Sequence, residues 1–342
     1  MSSFEALVEL HRSTLRLHCY RMLGSSHDSD DMVQETFVRA FRARHTLEDP
    51  ATVRAWLYRI ATNVCIDELA KRPRRARGPE LGPPADPDAP PEASTADAEW
   101  LEPAPSVWLS GASPEVGSPA AQYTMKESVA LAFVAALQVL TPPQRAVLLL
   151  RDVVGLSAAE TAEALGCSVS SANSTLHRAR VVLEERVGPR AGWSPDAGAG
   201  AVDRALVARY VRAWEQGDLD AIIALVHDDV ILSMPPSPTW IAGRADLARF
   251  FTNRVMHAVR DHRFRTALVD ANGRAGAGFY RLGDDGEGTF FALQVLETKD
   301  GCIRVIDHFM TASSHAAFFA EGLARTLPVT PGMTLGGPSP RQ

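Results

Sequence analysis

The stretch LSAAETAEALGCSVSSANSTLHRARVVLEE, residues 156–185, reads as two helices joined by a tight turn. Ser157 with Glu160 three residues on makes a capping box for the first helix. Gly166 can take the left-handed conformation that ends it. Ser168 can cap the second helix, whose apolar residues Val169, Ala172, Leu176, Ala179 and Leu183 fall on one face. A short helix, a glycine turn and a longer helix make a helix-turn-helix, whose second helix enters the major groove. Its early polar residues Ser170, Ser171, Asn173 and Ser174 suit base edges, and its later His177, Arg178 and Arg180 suit phosphates. Taken locally, the pattern also fits an ordinary αα-hairpin in a helical core.

The bulk numbers narrow the setting. A chain of 342 residues implies two or three domains. The formal net charge of -6 argues against coating nucleic acid through overall charge, so DNA binding requires locally concentrated positive charge. The four cysteines, Cys19, Cys65, Cys167 and Cys302, are far apart with no CxxC pair, which suggests neither a disulfide framework nor a zinc site. There is no signal-peptide pattern at the start and no apolar run of membrane-spanning length, which predicts a soluble, cytoplasmic protein that does not engage membranes.

Outward from the helix-turn-helix, the N-terminal third is also helical. The pattern predicts one helix over 2–23, ended by Gly24. The next segment opens with Asp28, Asp30 and Asp31, charges that favour a helix N-terminus, and continues with a core stripe of Val33, Phe37, Ala40 and Phe41. Asp31, Gln34, Glu35 and Arg39 lie off that stripe, where plain solvation is one explanation. A third helix starts at Asp49-Pro50 and stops before Pro73. Trp56, Leu57, Ile60 and Val64 can face the core, while Arg54, Tyr58, Arg59, Asn63 and Asp67 fall elsewhere. Lys71, Arg72, Arg74, Arg75 and Arg77 follow. Aromatic rings beside arginines suit unstacked bases and phosphates, although the spacing of Trp56 with Ile60 also fits a core residue.

Residues 78–125 carry ten prolines, eight acidic residues and no Lys or Arg, a composition that predicts a flexible, disordered linker. Trp100, Leu101, Val107, Trp108 and Leu109 interrupt it and could dock on a folded domain. Helical patterning resumes over 126–140, and Thr141 with Pro142 opens a helix leading to the helix-turn-helix. That unit ends near Gly188, and 189–200 form a second linker. Residues 201–327 change character: two helices, a strand, a further helix and a meander whose turns carry Asn-Gly and Asp-Gly pairs. This predicts an α+β domain with helices packed on a curved antiparallel sheet. The Gly/Pro-rich tail 328–342 is expected to be disordered.

Together these pieces resemble a sigma factor of the sigma-70 family, extracytoplasmic-function (ECF) group. DDMVQETFVRAFRAR looks like the helix of region two that grips core polymerase. VRAWLYRIATNVCIDELAKRPRR looks like the segment that melts and reads the −10 element. LTPPQRAVLLLRDVVGLSAAETAEALGCSVSSANSTLHRAR is similar to region four, which reads the −35 element. The resemblance covers 4–75 and 125–187. It implies that 1–77 form region two, 126–188 region four, and that the partners are core RNA polymerase (β′ clamp and β flap) and promoter DNA. It assigns Asp31, Gln34, Glu35 and Arg39 to core polymerase. Arg54, Trp56, Tyr58, Arg59 and Asn63 go to the −10 strand, and Val169, Ser170, Ser171, Asn173, Ser174, His177, Arg178 and Arg180 to the −35 duplex. Asn173 and Thr175 are neutral where many members of the group carry Lys or Arg, which implies modest phosphate affinity there. The linker is long and acidic for the group.

The C-terminal domain is similar to the SnoaL-like fold, a cone-shaped α+β barrel, fused in some ECF subfamilies including the sigma-G and sigma-J types. Such a fold has a pocket at the open end of its sheet, for which Tyr210, Trp214, Met234, Trp240, Phe279, Asp307 and His308 are candidate lining residues for a small ligand. The resulting expectation is a promoter-specificity subunit with no catalytic residue, metal or cofactor, tuned in cis by its C-terminal domain. Two rivals are a ligand-responsive helix-turn-helix regulator, which leaves 4–75 unexplained, and a SnoaL-like enzyme carrying a DNA-binding module, with Asp307 and His308 as its acid–base pair.

Overall fold

The structure is a computed structural model that describes residues 3–72, 75, 78–94, 99–110, 130–187, 204–256 and 264–328. The chain forms two compact units. The first comprises Met1–Leu81, Thr95–Ala199 and Asp270–Arg274; the second comprises Gly82–Ser94, Gly200–Val269 and Ala275–Gln342.

In the first unit the helix expected over 2–23 is two helices, α1 (Ser3–Glu9) and α2 (Arg12–Leu23). A turn at Leu10, closed by the His11 N–H on the Val8 carbonyl at 3.0 Å, re-aims α1 so that Phe4 meets the edge of Trp56. α2 ends at Gly24 with φ 69°, a left-handed backbone that favours glycine, and a Cβ there would lie 2.7 Å from Leu101 Cδ1. Ser25 caps α3 (Ser26–Arg42), its Oγ accepting the Asp28 N–H at 3.0 Å. α4 (Val53–Leu69) follows a turn begun by Asp49-Pro50. Phe41, expected in the core, is 48% exposed, because Val33 and Ala40 already fill the buried side of α3.

Among its described residues the linker forms two single-turn helices, α5 (Gly78–Leu81) and α6 (Val107–Ser110). Even so, residues 99–110 are firmly seated on α2 and α3. Trp100, Leu101 and Trp108 are buried, and the Arg16 guanidinium lies 4.7 Å from the Trp108 ring. The buried Glu102 carboxylate accepts from Ser25 Oγ at 2.7 Å and the His27 N–H at 3.2 Å, which neutralises the positive end of α3. Proline-rich backbone loses little entropy on docking, so a few buried anchors suffice.

Helices α7 (Leu131–Leu137), α8 (Pro142–Leu148), α9 (Ala158–Ala164) and α10 (Val169–Val187) complete the unit, with a single π turn at Leu149–Val153. Residues 126–129 of the helix expected over 126–140 lie outside the described residues. Leu15, Met22, Val33, Leu57 and Ala61 share one continuous core with Leu137, Leu149, Ala162 and Leu176, so α1–α4 and α7–α10 pack as one body. Arg145 of α8 is buried in this body. Its guanidinium donates to the Met22 carbonyl at the end of α2, to Gln138 Oε1 at 2.8 Å and to the Leu140 carbonyl at 3.2 Å.

The second unit holds α11 (Arg204–Gln216), α12 (Leu219–Ala224), β1 (Val226–Ser233), β2 (Trp240–Ala242) and α13 (Arg244–Phe250). Then come β3 (Phe264–Ala271), β4 (Arg274–Leu282), β5 (Gly288–Lys299), β6 (Cys302–Phe309), α14 (Ala312–Ala320) and β7 (Thr326–Leu327). The sheet order is β2-β1-β6-β5-β4-β3, with β7 on β5. The meander is antiparallel as expected. β1, which enters from the α11–α12 hairpin, lies parallel to β6, so the sheet is mixed. Asn272-Gly273 and Asp300-Gly301 both have positive φ, the backbone of two-residue hairpin turns. The core of this unit is Val207, Tyr210, Trp214, Phe250, Phe251 and Ile306. The tail from 329 lies outside the described residues.

Among the described residues no helix is long and apolar enough to cross a membrane, and no group of three His, Cys, Asp or Glu side chains could hold a metal ion.

Candidate nucleic-acid interface

The helix-turn-helix is built by local hydrogen bonds. Ser157 Oγ accepts the Glu160 N–H at 3.2 Å while Glu160 Oε2 accepts the Ser157 N–H at 2.7 Å. The bond from Ser157 holds the Glu160 carboxyl below the usual carboxylate range. Gly166 turns the chain at φ 62°, and Ser168 Oγ accepts the Ser171 N–H at 3.1 Å to start α10. Ala172, Leu176, Ala179 and Leu183 are buried. Val169 leaves that face and is 44% exposed, beside exposed Ser170, Ser171, Asn173, Ser174, His177 and Arg178. This surface offers hydroxyls and an amide for base edges, a methyl-rich side chain for thymine, and a cation for phosphate. Arg180 is exposed yet tied to Asp152 by two bonds at 2.7 and 3.1 Å, and that pairing raises its pKa. Arg178 donates to Thr175 Oγ1 at 3.1 Å.

On α4, Arg54, Arg59 and Asn63 are exposed and Trp56 is half-buried, its Nε1 donating to Thr46 Oγ1 at 3.1 Å. Tyr58 corrects the sequence reading. It is 5% exposed, edge-on to His18 at 5.1 Å and hydrogen-bonded to Thr14, and burial pushes its phenol pKa up. In this arrangement it is a core residue rather than an exposed stacking surface. Arg54 donates to the Val154 carbonyl at 2.5 Å, and Arg59 meets Glu163 of α9 at 3.4 Å. Two cations of this face are therefore engaged by the helix-turn-helix body itself. Beyond α4, Arg72 pairs with Asp28 and Glu68, and Arg75 pairs with Asp28 and with Glu99 of the linker. Arg74 and Arg77 lie outside the described residues.

α3 presents a second surface. Asp31 and Gln34 are exposed and Glu35 is half-buried; Arg39 bonds Glu35 at 2.8 Å and Asp67 at 2.9 Å. The Glu35 bond is the first cause of the raised Arg39 pKa. Val38 and Phe41, 43% and 48% exposed, continue the same stripe. The sequence reading missed both, although 31, 34, 38 and 41 fall at helical spacing.

The second unit departs from the predicted pocket. Tyr210, Trp214, Met234 and Phe279 are buried, and Trp214 meets Tyr210, Phe251 and Phe279 edge-on within 6.1 Å, so aromatic side chains fill the interior. Tyr210 Oη donates to Gln294 Oε1 at 3.0 Å, and Gln294 Nε2 lies 3.0 Å from His308 Nδ1. Burial lowers the His308 pKa to about 4, so its ring is neutral near pH 7. Asp307 accepts from Ser233 Oγ at 2.5 Å on the other face of the sheet, because successive strand residues point to opposite sides. Asp307 and His308 therefore do not form an acid–base pair. Trp240 is directed to the linker, its Nε1 donating to the Gly82 carbonyl at 3.0 Å. Two surface clefts, of about 330 Å³ beside Arg281 and Phe291 and about 550 Å³ beside Asp228 and Arg244, contain none of the predicted lining residues.

Comparison with known proteins agrees with this division. Sigma-70 region 2 matches residues 7–75, Sigma-70 region 4 matches 130–183, and the SnoaL-like domain matches 207–308. The ECF RNA polymerase sigma factor SigG of Mycobacterium tuberculosis is 41% identical over 285 residues, which is 82% of this chain and 74% of the relative. SigJ of the same organism is 28% identical over 278 residues, 80% of this chain and 76% of the relative. The crystal structure of SigJ matches 92% of this chain and 99% of its own, with TM-score 0.57 and 20% identity, a likeness of fold.

Proposed function

The chain belongs to the ECF sigma factors of the sigma-70 family, and from that premise we propose that it binds core RNA polymerase, reads −35 and −10 promoter elements and promotes melting. The observation that carries the residue assignments is the exposed face of α10, from Val169 to Arg178, on a helix-turn-helix whose two helices are both N-capped. The exposed stripe of α3 (Asp31, Gln34, Val38 and Phe41) is the core-polymerase surface. Arg54, Arg59 and Asn63, with half-buried Trp56, are the −10 surface.

Promoter engagement then requires the first unit to open. Elements named −35 and −10 lie roughly 25 base pairs apart, about 85 Å at ~3.4 Å per base pair. Helices in contact are only about 8–10 Å apart, and α4 packs against the helix-turn-helix through Arg54 and Arg59. The C-terminal domain regulates in cis. The separation of Asp307 from His308 supports a regulatory rather than a catalytic reading of that domain.

Promoter occupancy by the full chain is expected only with core polymerase, and Arg178→Ala should lower it about five- to tenfold, the loss of one polar DNA contact. Equally tight sequence-specific duplex binding by the chain alone would instead identify a conventional helix-turn-helix regulator.

A further inference from the structure

The opening of α10, from Val169 to His177, contains no Lys, Arg, Asp or Glu. Within it Ser170, Asn173, Ser174 and His177 stand at i, i+3, i+4 and i+7, so they form one contiguous patch, and all four are exposed. Ala172 and Leu176 are buried on the opposite side and fix the rotation of the helix beneath that patch. Ser168 Oγ, which accepts the Ser171 N–H at 3.1 Å, fixes where the helix starts. The patch therefore holds one orientation on the N-terminal turns of the second helix, the part of a helix-turn-helix that meets base edges.

The two cations of α10 lie beyond this patch and are engaged within the fold. Arg178 donates to Thr175 Oγ1 at 3.1 Å, and Arg180 is held by Asp152 at 2.7 and 3.1 Å. Guanine is read by an arginine or lysine that spans its O6 and N7 acceptors, and the patch has neither residue. What it offers is one carboxamide among two hydroxyls and an imidazole. A hydroxyl pairs with a donor or an acceptor and so discriminates weakly between bases. The carboxamide presents a donor and an acceptor side by side, which matches N7 and N6–H of adenine. Guanine offers two acceptors at that edge and leaves the amide oxygen facing another oxygen or nitrogen lone pair.

We propose that Asn173 reads an adenine of the −35 element in the major groove, its Nδ2 donating to adenine N7 and its Oδ1 accepting from adenine N6–H. The −35 element of this chain thus carries an A·T pair beneath the second turn of α10. Discrimination there is made by an uncharged side chain, while Arg178 contributes attraction to phosphate. This assignment rests on the promoter-binding function proposed above.

The probe is a duplex that the holoenzyme, core RNA polymerase with the full chain, recovers from a pool of random-sequence DNA. Occupancy is then measured with each of the four base pairs at each upstream position. The natural chain is expected to show an adenine position at which any other base lowers occupancy about tenfold or more. Replacing that base by 7-deazaadenine, which keeps N6–H and lacks N7, should lower occupancy about five- to tenfold for the natural chain and leave Asn173→Ala unaffected. Asn173→Arg should move the preference at the same position to guanine. The slope of log affinity against log salt should be unchanged in Asn173→Ala and shallower by about one in Arg178→Ala. If Asn173→Ala keeps the natural preference for adenine, or loses as much as the natural chain with 7-deazaadenine, the proposal is overturned. A natural holoenzyme without base preference at any upstream position refutes the promoter-binding reading itself, a result separate from a preference that survives the loss of Asn173.

Discussion

Replacing Arg145 by Met is expected to destabilise the first unit by about 3–5 kcal/mol, the range for removing one partner from a buried charged network. Arg145 is 3% exposed, and its guanidinium satisfies the carbonyls of Met22 and Leu140 and the amide oxygen of Gln138. Methionine keeps most of the apolar stem but leaves those acceptors buried without their donor. The Met22 carbonyl also sits at the negative end of α2, where a cation is favoured. Arg145→Lys should fall between the two, because a single ammonium cannot span three acceptors held by a planar fork. Urea unfolding at constant m-value measures the loss. Because Arg145 joins α8 to α2, its replacement should also lengthen the distance between labels at Gln34 and Asn173. A stability change below about 0.5 kcal/mol, with unaltered label distances, would show that the two regions are held together by apolar packing alone.

That latch was not legible in the sequence, and the reason is physical. Periodicity placed α3, α4, α9 and α10 because each has an apolar stripe and a start signal within a few residues: Asp28, Asp30 and Asp31 for α3, Asp49-Pro50 for α4, Ser157 with Glu160 for α9, Ser168 for α10. The Asn272-Gly273 and Asp300-Gly301 turns were legible for the same reason. Arg145, by contrast, sits in PPQRAVLLL with nothing in its sequence pattern to mark it as buried, and the acceptor that ties it to α2, the Met22 carbonyl, is 123 residues away. Tyr58 was misjudged because an aromatic beside arginines has the same sequence pattern whether it faces solvent or His18. Asp307 and His308 were joined by adjacency in sequence, which on a strand guarantees opposite faces. In the linker, proline and acid content described the free chain well and said nothing about the few residues, Trp100, Glu102 and Asp88, that find partners elsewhere. The two tryptophans were the visible hint.

Acid should loosen each unit through one histidine. His18, fully buried with Nε2 2.9 Å from Thr62 Oγ1, has its pKa lowered to about 3 by burial and then by nearby Arg21. His308 is lowered to about 4 by burial and then by His315. The unfolded chain takes up a proton near pH 6.5, well before either folded site does. Protonation therefore favours unfolding: the stability contributed by each neutral ring is complete above pH 6.5 and is lost as pH falls toward the folded value. Between pH 7 and pH 5 the loss is about 2 kcal/mol per histidine. His18→Gln retains a donor for Thr62 and cannot protonate, so its first unit should lose most of that slope, while the second unit, governed by His308, keeps its own. Separate unfolding curves for the two units, followed by exchange at core amides of each from pH 7 to pH 5, distinguish the contributions. If His18→Gln leaves the first unit's acid slope unchanged, His18 is not the group that sets it.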